Sequence, residues 1–439
     1  MDKTVSGFSK LSKQQKIDWV VAHYCGNDKA VAKVLLQYEL DDNQLQKLHD
    51  GFSENTIGNF LMPMGIAPNF LIDGQYFAVP MVIEESSVVA AASSAAKFWQ
   101  TRGGFHTRII DTQKVGHISF TWAGTLKVLQ AYEAEIKKDL VRHTAHLTAN
   151  MEARGGGMTD LFFVQVPEME NTYQLMAKFD TCDSMGANFI NTVLETYASC
   201  LEIWFEEKAD LQQTYGSIHL IMSILSNYTP ECVVKAWVTC PVAELNINTN
   251  GSEDIAALAH KFKTAVDIAG ADVFRATTHN KGIYNGIDAV VIATGNDFRA
   301  IEASGHAYAA RSGRYRSLSK CEIKDGHFTF ELEVPLALGT VGGLTSLHPL
   351  SKLALEILGS PDARTLMSVI ASTGLAQNFA ALRSLVTTGI QKGHMKMHLK
   401  NILAHLQASE VQAEAALTYF SDKPISHKAV RDFLAASQS

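Results

Sequence analysis

Four segments of the chain combine acidic, basic or imidazole side chains with glycine, asparagine or other small residues, which let a backbone approach a ligand closely. The first, residues 80–93, places Glu84 and Glu85 directly before a run of small residues. Neighbouring side chains on an extended segment point in opposite directions, so we expect one of these carboxylates to face a pocket. The alternative is that both carboxylates complement the dipole of the helix that follows.

The second segment, residues 275–313, contains Lys281 and Asp297. Glycines and asparagines around Lys281 predict turns, and the apolar run DAVVIATG before Asp297 predicts a strand. Open α/β sheets often place functional groups where a strand ends. A lysine and an aspartate brought together in a half-buried site would shift each other's proton affinity, and a structural salt bridge is the alternative.

Two further segments are less specific. In residues 389–398, His394 follows a glycine near the start of a helical tail, and a structural histidine is the alternative. No HExxH or Cys/His spacing accompanies it, so no metal is expected. In residues 180–195, Asp183 precedes a small-residue helix start, where free N–H groups attract phosphate; a capped helix is the alternative. No GxGxxG motif follows a strand, so a Rossmann domain is not indicated.

Composition excludes several classes of protein. The 439 residues include 38 Lys+Arg and 45 Asp+Glu, a net charge of −7, with 46% hydrophobic residues. These values predict a folded protein of two or three domains and argue against nucleic acid as the partner. The N-terminal sequence lacks the apolar core of a signal peptide, and no apolar run reaches the roughly 18 residues of a membrane span. Six cysteines without CxxC pairs fit reduced thiols, so we expect a cytoplasmic protein with no membrane partner.

The elements that must position these residues have an α+β pattern. Ser12 is predicted to cap a helix, Asp73-Gly74 to form a hairpin turn, and the serines of residues 86–99 to cap a small-residue helix. Residues 112–222 read as strand, long helix (about 124–153), two strands and a further helix, which predicts an inserted antiparallel module. The predicted domains are a large mixed α/β domain of residues 1–111 and 223–390, the insert of 112–222, and a helical C-terminal flap of 391–439.

Nine motifs, in this order along the chain, resemble those of class II (bacterial-type) 3-hydroxy-3-methylglutaryl-coenzyme A reductases. They are ENTIG (Glu54–Gly58), PMVIEESSVVAAAS (Pro80–Ser93), ARGGG (Ala153–Gly157), DSMGAN (Asp183–Asn188), ILSN (Ile224–Asn227), RATTHNKGIYNG (Arg275–Gly286), ATGND (Ala293–Asp297), GLAQNFAALR (Gly374–Arg383) and GHM (Gly393–Met395). The resemblance implies reduction of the hydroxymethylglutaryl thioester to mevalonate and coenzyme A with two nicotinamide hydrides and no metal. It also implies that the insert is a non-Rossmann cofactor-binding domain.

The resemblance assigns roles residue by residue. It implies that the catalytic residues are Glu85, Lys281, Asp297 and His394. It implies that the substrate is bound by Arg275, which clamps its free carboxylate, and by Ser87, Asn227 and Asn285. It implies that the cofactor is bound by Asp183, Met185, Gly186 and Asn188. Members of the family are dimers with ENTIG at the interface and shared active sites, so a homodimer or a higher even oligomer is expected, with Glu85 and Lys281 on one subunit and the insert on the other.

The sequence leaves alternatives open for the cofactor and for the activity. An acidic residue ahead of the GGG turn marks NADH preference in some members, and here that stretch offers Thr148 and Asn150, with Arg142, His143 and Arg154 nearby. We therefore expect NADPH in preference to NADH. The alternatives to a reductase are a catalytically silent homologue that binds acyl-coenzyme A, and a hydrolase that uses lysine, aspartate and histidine.

Overall fold

The computed structural model describes residues 3–247, 254–387, 399–421 and 423–436. Internal contacts divide the chain into two compact units, Met1–Pro63 and Met64–Ser439. The predicted large domain began at residue 1, and its boundaries remain a prediction.

The first unit contains three short helices, each capped by a side chain. They are α1 (Lys13–Tyr24), α2 (Lys29–Leu36) and α3 (Asn43–Asp50). Ser12 caps α1 in a reciprocal capping box with Gln15, as predicted. The Lys13 ammonium lies 2.8 Å from carboxylate oxygens of both Glu39 and Asp50, and so ties α1 to α3.

The second unit contains ten strands and thirteen helices within the described ranges. The strands are β1 (Met64–Ile72), β2 (Gln75–Val82), β3 (His106–Ile109), β4 (Lys114–Thr121), β5 (Gly157–Gln165), β6 (Thr172–Asp180), β7 (His219–Ser226), β8 (Val233–Pro241), β9 (Ser319–Lys324) and β10 (His327–Pro335). The helices are α4 (Val88–Gln100), α5 (Leu126–Glu152), α6 (Ala187–Glu206), α7 (Ala209–Tyr215), α8 (Ile255–Ala271), α9 (Val273–Ala293), α10 (Phe298–Ala309), α11 (Leu344–Leu347), α12 (Pro349–Ile357), α13 (Ala363–Val386), α14 (399–405), α15 (Glu410–Tyr419) and α16 (His427–Ala436).

The β1–β2 hairpin turns where the sequence predicts it. Ile72 pairs with Gln75, and the two residues between them, Asp73 and Gly74, have φ angles of 47° and 85°. Positive φ at both positions is the type I′ geometry that Asp-Gly favours in two-residue hairpins. The hairpin packs against α4 and α9 and so brings the end of β2 close to the candidate site.

The largest core lies under the antiparallel sheet β3-β8-β10-β9. Helices α8, α9 and α13 pack there around Phe262, Phe328 and Phe379, which are fully buried. Among the described helices, α13 alone is long and apolar enough to cross a membrane, and most of it is buried inside the protein. Its buried polar residues, such as Ser372 and Asn378, interrupt the apolar sequence.

A second core belongs to the predicted insert. Its sheet has the order β5-β6-β4-β7 with every neighbour antiparallel, and α5 and α6 pack on it. The antiparallel α+β prediction is therefore confirmed. Strand β7 runs to Ser226, past the predicted boundary at 222, and α6 begins at Ala187 rather than near Asp183. A third, smaller core joins α14, α15 and α16, which confirms a helical tail for the part of it that the structure describes.

Three local predictions were wrong. The segment around Lys281 is not turn-rich, and DAVVIA is not a strand: both lie within the continuous helix α9. The serines before α4 do not cap it, because Ser87 adopts φ 73° and its hydroxyl bonds to the carbonyl of Ser86. A non-glycine residue in the left-handed region is strained, and such strain is concentrated at functional sites.

Candidate active site

The segment between β2 and α4 places one carboxylate against the centre of α9. Lys281 Nζ donates to Glu85 Oε2 at 2.7 Å. The preceding Glu84 is exposed, as expected for neighbours that point in opposite directions. The Lys281 side chain is 61% exposed, so its ammonium remains accessible to a ligand while it is held by Glu85.

Buried polar residues on the opposite side of α9 fix the orientation of Lys281. His279 Nε2 lies 2.6 Å from Ser319 Oγ, and Asn280 donates to the carbonyl of Arg316 at 2.9 Å. Burial lowers the pKa of His279 to about 3, with a smaller contribution from the charge of Arg275, so the imidazole is neutral. These hydrogen bonds hold the HNKG segment in a helix although its residues favour turns. The sequence analysis missed this because the bonding partners lie far along the chain.

Arg275 and Asn285 lie on the same helix as Lys281. Both are half-buried, and the Arg275 backbone amide donates an N-cap hydrogen bond to Asp272 Oδ2 at 2.7 Å. Burial lowers the pKa of the Arg275 guanidinium, and no carboxylate in the described part of the chain opposes that shift. A half-buried guanidinium without a carboxylate partner favours the binding of an anionic ligand.

Asp297 occupies a separate place, at the start of α10. Its carboxylate accepts from the amides of Arg299 (3.0 Å) and Ala300 (3.2 Å), and pairs with the Arg299 guanidinium at 3.1 Å. Burial alone would raise the pKa of Asp297, but the hydrogen bonds from Arg299 and the α10 amides outweigh it and hold the pKa below its usual range. The carboxylate is therefore ionised at neutral pH.

The helix geometry keeps Asp297 away from Lys281 of the same chain. Lys281 is thirteen residues from Thr294, the C-cap of α9, and this distance is about 20 Å at the helical rise. Helix α10 then runs back along α9, as shown by Gly305, which lies against the Tyr284 hydroxyl. Asp297, at the start of α10, is left near the C-terminal end of α9. The expected direct contact between Lys281 and Asp297 is thus not made within one chain.

Asp297 lies instead beside the DSMGAN turn. The adjacent Asn296 accepts from the Gly339 amide at 2.9 Å, and a side chain at Gly339 would come within 2.4 Å of the Met185 amide nitrogen. Asp183 holds the turn by accepting from the Ala363 amide at 2.8 Å. The chain therefore presents two half-sites, one with Glu85 and Lys281 and one with Asp297 and the DSMGAN turn.

The DSMGAN turn leads into an uncapped helix. Gly186 is the N-cap of α6 with φ 87°, and no side chain of a described residue caps the helix there. The first amides of this twenty-residue helix are therefore available to a phosphate group. A side chain at Gly186 would come within 2.5 Å of Thr181, so this position is limited to glycine. Asn188, two residues further along the chain, is exposed.

The remaining predicted site residues are placed less distinctively. Asn227 is exposed and lines a narrow cavity with Met185. Thr148 is only 3% exposed, with its hydroxyl directed at the carbonyl of Thr144, whereas Asn150 is exposed on α5. His394 lies outside the residues that the structure describes. Within the described part of the chain, no three His, Cys, Asp or Glu side chains are grouped to hold a metal ion.

Comparison with known proteins identifies the family. A family model described as hydroxymethylglutaryl-coenzyme A reductase matches residues 14–399. The chain belongs to this family.

Relatives and solved structures agree with that assignment. A 3-hydroxy-3-methylglutaryl-coenzyme A reductase of Archaeoglobus fulgidus is 38% identical over 92% of this chain and 87% of its own length. A probable reductase of Borreliella burgdorferi is 36% identical over 91% and 88%. The class II reductase of Streptococcus pneumoniae, solved bound to NADPH in open conformations, aligns with TM-score 0.70 and 35% identity over 94% of this chain and 99% of that one. A further structure of that enzyme gives TM-score 0.71 over 99% and 100%.

These similarities confirm both the resemblance and the α+β fold predicted from the motifs. The hydroxymethylglutaryl-coenzyme A reductases are oxidoreductases, and this chain is one of them. Within the chain, the structure brings these family motifs together in two pairs, EES with HNKG and TGND with DSMGAN.

In this reductase, a half-buried pair of carboxyl groups, one on α9 and one on α10, sets an expected pH dependence. Burial raises the pKa of Asp288 to about 8, and the charge of Glu302 and its hydrogen bond add to the shift. The unfolded chain has the ordinary pKa near 3.8, so between about pH 4 and pH 8 the folded protein binds one proton more. Stability therefore falls as pH rises through that window.

Asp288→Asn is expected to remove this fall, because the amide cannot ionise and can donate to Glu302. We expect the variant to be more stable than wild type by about 1–2 kcal/mol near pH 8 and nearly equal near pH 4. Thermal unfolding at both pH values, at one protein concentration, measures the difference. Asp325→Asn, at an exposed turn, is the control and should change neither midpoint. If the wild-type and variant unfolding midpoints changed equally with pH, the raised pKa of Asp288 would not be the cause of the pH dependence.

Proposed function

We propose that this chain interconverts 3-hydroxy-3-methylglutaryl-coenzyme A and mevalonate plus coenzyme A, by two successive hydride transfers through a mevaldyl-coenzyme A hemithioacetal and mevaldehyde. The observation that carries the proposal is the accessible Lys281 ammonium, held by Glu85. The same helix carries Arg275, which has no carboxylate partner among the residues that the structure describes. Family membership supports the same reaction.

Each proposed residue has a distinct chemical task. Arg275 binds the free carboxylate of the substrate, with Ser87, Asn227 and Asn285 supplying further hydrogen bonds. Lys281 stabilises the negative charge that develops on the thioester oxygen. His394 protonates the departing thiolate, and Glu85 or Lys281 supplies the proton to the aldehyde oxygen. A nicotinamide held at Asp183, Met185, Gly186 and Asn188 supplies the hydrides, and the uncapped start of α6 fits its phosphates.

The two half-sites support a shared active site in a homodimer. Asp297 cannot reach Lys281 of its own chain along a rigid helix of about 20 Å. Asp297 and the DSMGAN turn of one chain would therefore meet the Lys281 of a second copy. Exposed leucines on α11 and α12 offer an apolar face for such an assembly: Leu344, Leu347, Leu350 and Leu353. ENTIG is also proposed to lie at the interface between subunits.

The domains take separate roles in this proposal. Residues 1–111 and 223–390 bind the substrate and coenzyme A, and residues 112–222 bind the cofactor. Residues 391–439, which carry His394, would allow the cofactor to exchange between the two hydride transfers and later close over coenzyme A. We place the reaction in the cytoplasm.

NADPH is the proposed cofactor. Neither Thr148 nor Asn150 carries a carboxylate that would repel a 2′-phosphate, and Arg154 lies one turn from Asn150, donating to its carbonyl at 3.1 Å. The relative from Streptococcus pneumoniae was solved bound to NADPH.

The test is cofactor oxidation by the purified full-length protein. We expect the near-ultraviolet absorbance of NADPH to fall only when the hydroxymethylglutaryl thioester is present, with mevalonate and coenzyme A as products. Initial rates in both directions with NADH and NADPH rank the cofactors. Thioester binding without oxidation of either cofactor would favour the silent acyl-coenzyme A-binding homologue, and release of the free acid would favour a hydrolase.

A further inference from the structure

A lysine is buried directly beneath the DSMGAN turn. Lys114 is the first residue of β4 and is only 5% exposed. Its ammonium donates to Thr181 Oγ1 and, at 2.7 Å, to the carbonyl oxygen of Ser184. Thr181 donates to the same carbonyl at 2.6 Å. The ammonium therefore binds the turn that precedes α6. Lys114 itself lies outside all nine of the motifs.

The carboxylates around Lys114 are engaged by other donors. Asp180 accepts from the Thr112 hydroxyl at 2.9 Å and the Cys182 amide at 2.8 Å. Asp183 accepts from the Ala363 amide at 2.8 Å. Burial lowers the pKa of Lys114, and the nearby charges of Asp180 and Asp183 oppose that shift and favour the ammonium form. A fixed charge in a poorly solvated position acts strongly on its surroundings.

Lys114 also lies behind the place where substrate and cofactor are proposed to meet. It lines the narrow cavity that contains Met185 from the DSMGAN turn and Asn227 from ILSN. Ala300, in the first turn of α10 after Asp297, lines the same cavity. On its other side Lys114 borders a larger cavity of about 220 Å³ with Asp183 and Arg364.

We propose that Lys114 is a specificity-determining residue that makes this site bind the reduced nicotinamide more tightly than the oxidised one. The proposal rests on the proposed function. When a hydride leaves the reduced ring for the thioester carbon, two electrons depart and the ring becomes a cation. The Lys114 ammonium repels that cation and leaves the neutral reduced ring unaffected, so the spent cofactor dissociates before the second transfer.

The test measures binding rather than turnover. The dissociation constants of NADPH and NADP⁺ for the full-length protein are measured by calorimetry, for wild type, Lys114→Met and Lys114→Arg. We expect Lys114→Met to lower the ratio of the NADP⁺ constant to the NADPH constant by roughly tenfold, as for removal of a charge several ångströms away. Lys114→Arg should retain most of the wild-type ratio. Lys178→Met, on the neighbouring strand, is the control and should leave the ratio unchanged.

Several outcomes would overturn the proposal. A purely structural role for Lys114 weakens both cofactors equally and leaves their ratio unchanged. Lys114→Gln keeps a donor for Ser184 without the charge, so it tests the charge if the methionine variant does not fold. Wild-type protein that binds NADP⁺ as tightly as NADPH contradicts the proposal without any variant. Wild-type protein that binds neither cofactor would instead contradict the proposed function.

Discussion

Lys281→Met is expected to lower kcat for thioester reduction by about 10³-fold. Methionine has a similar length but no charge, so the oxyanion that forms on hydride attack loses its stabilising partner. The Glu85 carboxylate loses its ion pair at the same time, whereas the anchors His279 and Asn280 on the buried side of α9 are retained. Stability should therefore change little, because the lysine side chain is mostly exposed.

Initial rates under saturating thioester and NADPH measure this effect, with thermal unfolding as the check on folding. Lys261→Met, at an exposed position on α8, is the matched control and should retain full activity. A Lys281→Met enzyme with more than about a tenth of the wild-type kcat would show that the ammonium does not stabilise the transition state.

Mixing two inactive variants is expected to restore activity. Lys281→Met and Asp297→Asn each remove one half-site. If Lys281 of one subunit works with Asp297 of the other, a dimer with one copy of each variant has one intact site and one site that lacks both residues. With random pairing, half the dimers are mixed and half their sites work, which predicts about one quarter of wild-type activity.

The same experiment excludes the alternative arrangement. If both residues of one chain served the same site, every site of a mixed dimer would lack one of them, and the mixture would be as inactive as its components. The two variants should be co-expressed so that dimers form during folding, with each variant expressed alone as the control. A mixture no more active than its components would contradict the shared site.

The sequence predicted elements whose signals are local. The cap at Ser12 depends on Gln15 three residues later, and the hairpin turn depends on Asp73-Gly74 alone. Both interactions are complete within a few residues. The motif resemblance likewise pointed to Glu85 and Lys281, whose carboxylate and ammonium lie 2.7 Å apart although 196 residues separate them.

Helix α9 could not be predicted in the same way, because distant parts of the chain stabilise it. Gly286 lets the helix approach α13 so closely that a side chain there would come within 2.7 Å of the Thr373 carbonyl oxygen. Asn280 is bonded to the segment before β9. A short apolar run such as DAVVIA fits a buried helix as well as a strand, and only the packing decides between them. The separation of Asp297 from Lys281 follows directly from this difference.

The single helix that carries Arg275 and Lys281 also has a consequence for substrate choice. Six residues separate them, so their backbones are held about 9 Å apart along the axis by the pitch of the helix rather than by any movable loop. If the guanidinium binds the free carboxylate and the ammonium contacts the thioester oxygen, α9 sets the length of acyl group that fits. Dicarboxylic thioesters with a shorter or longer carbon chain could not contact both side chains at once, and the enzyme would select against them.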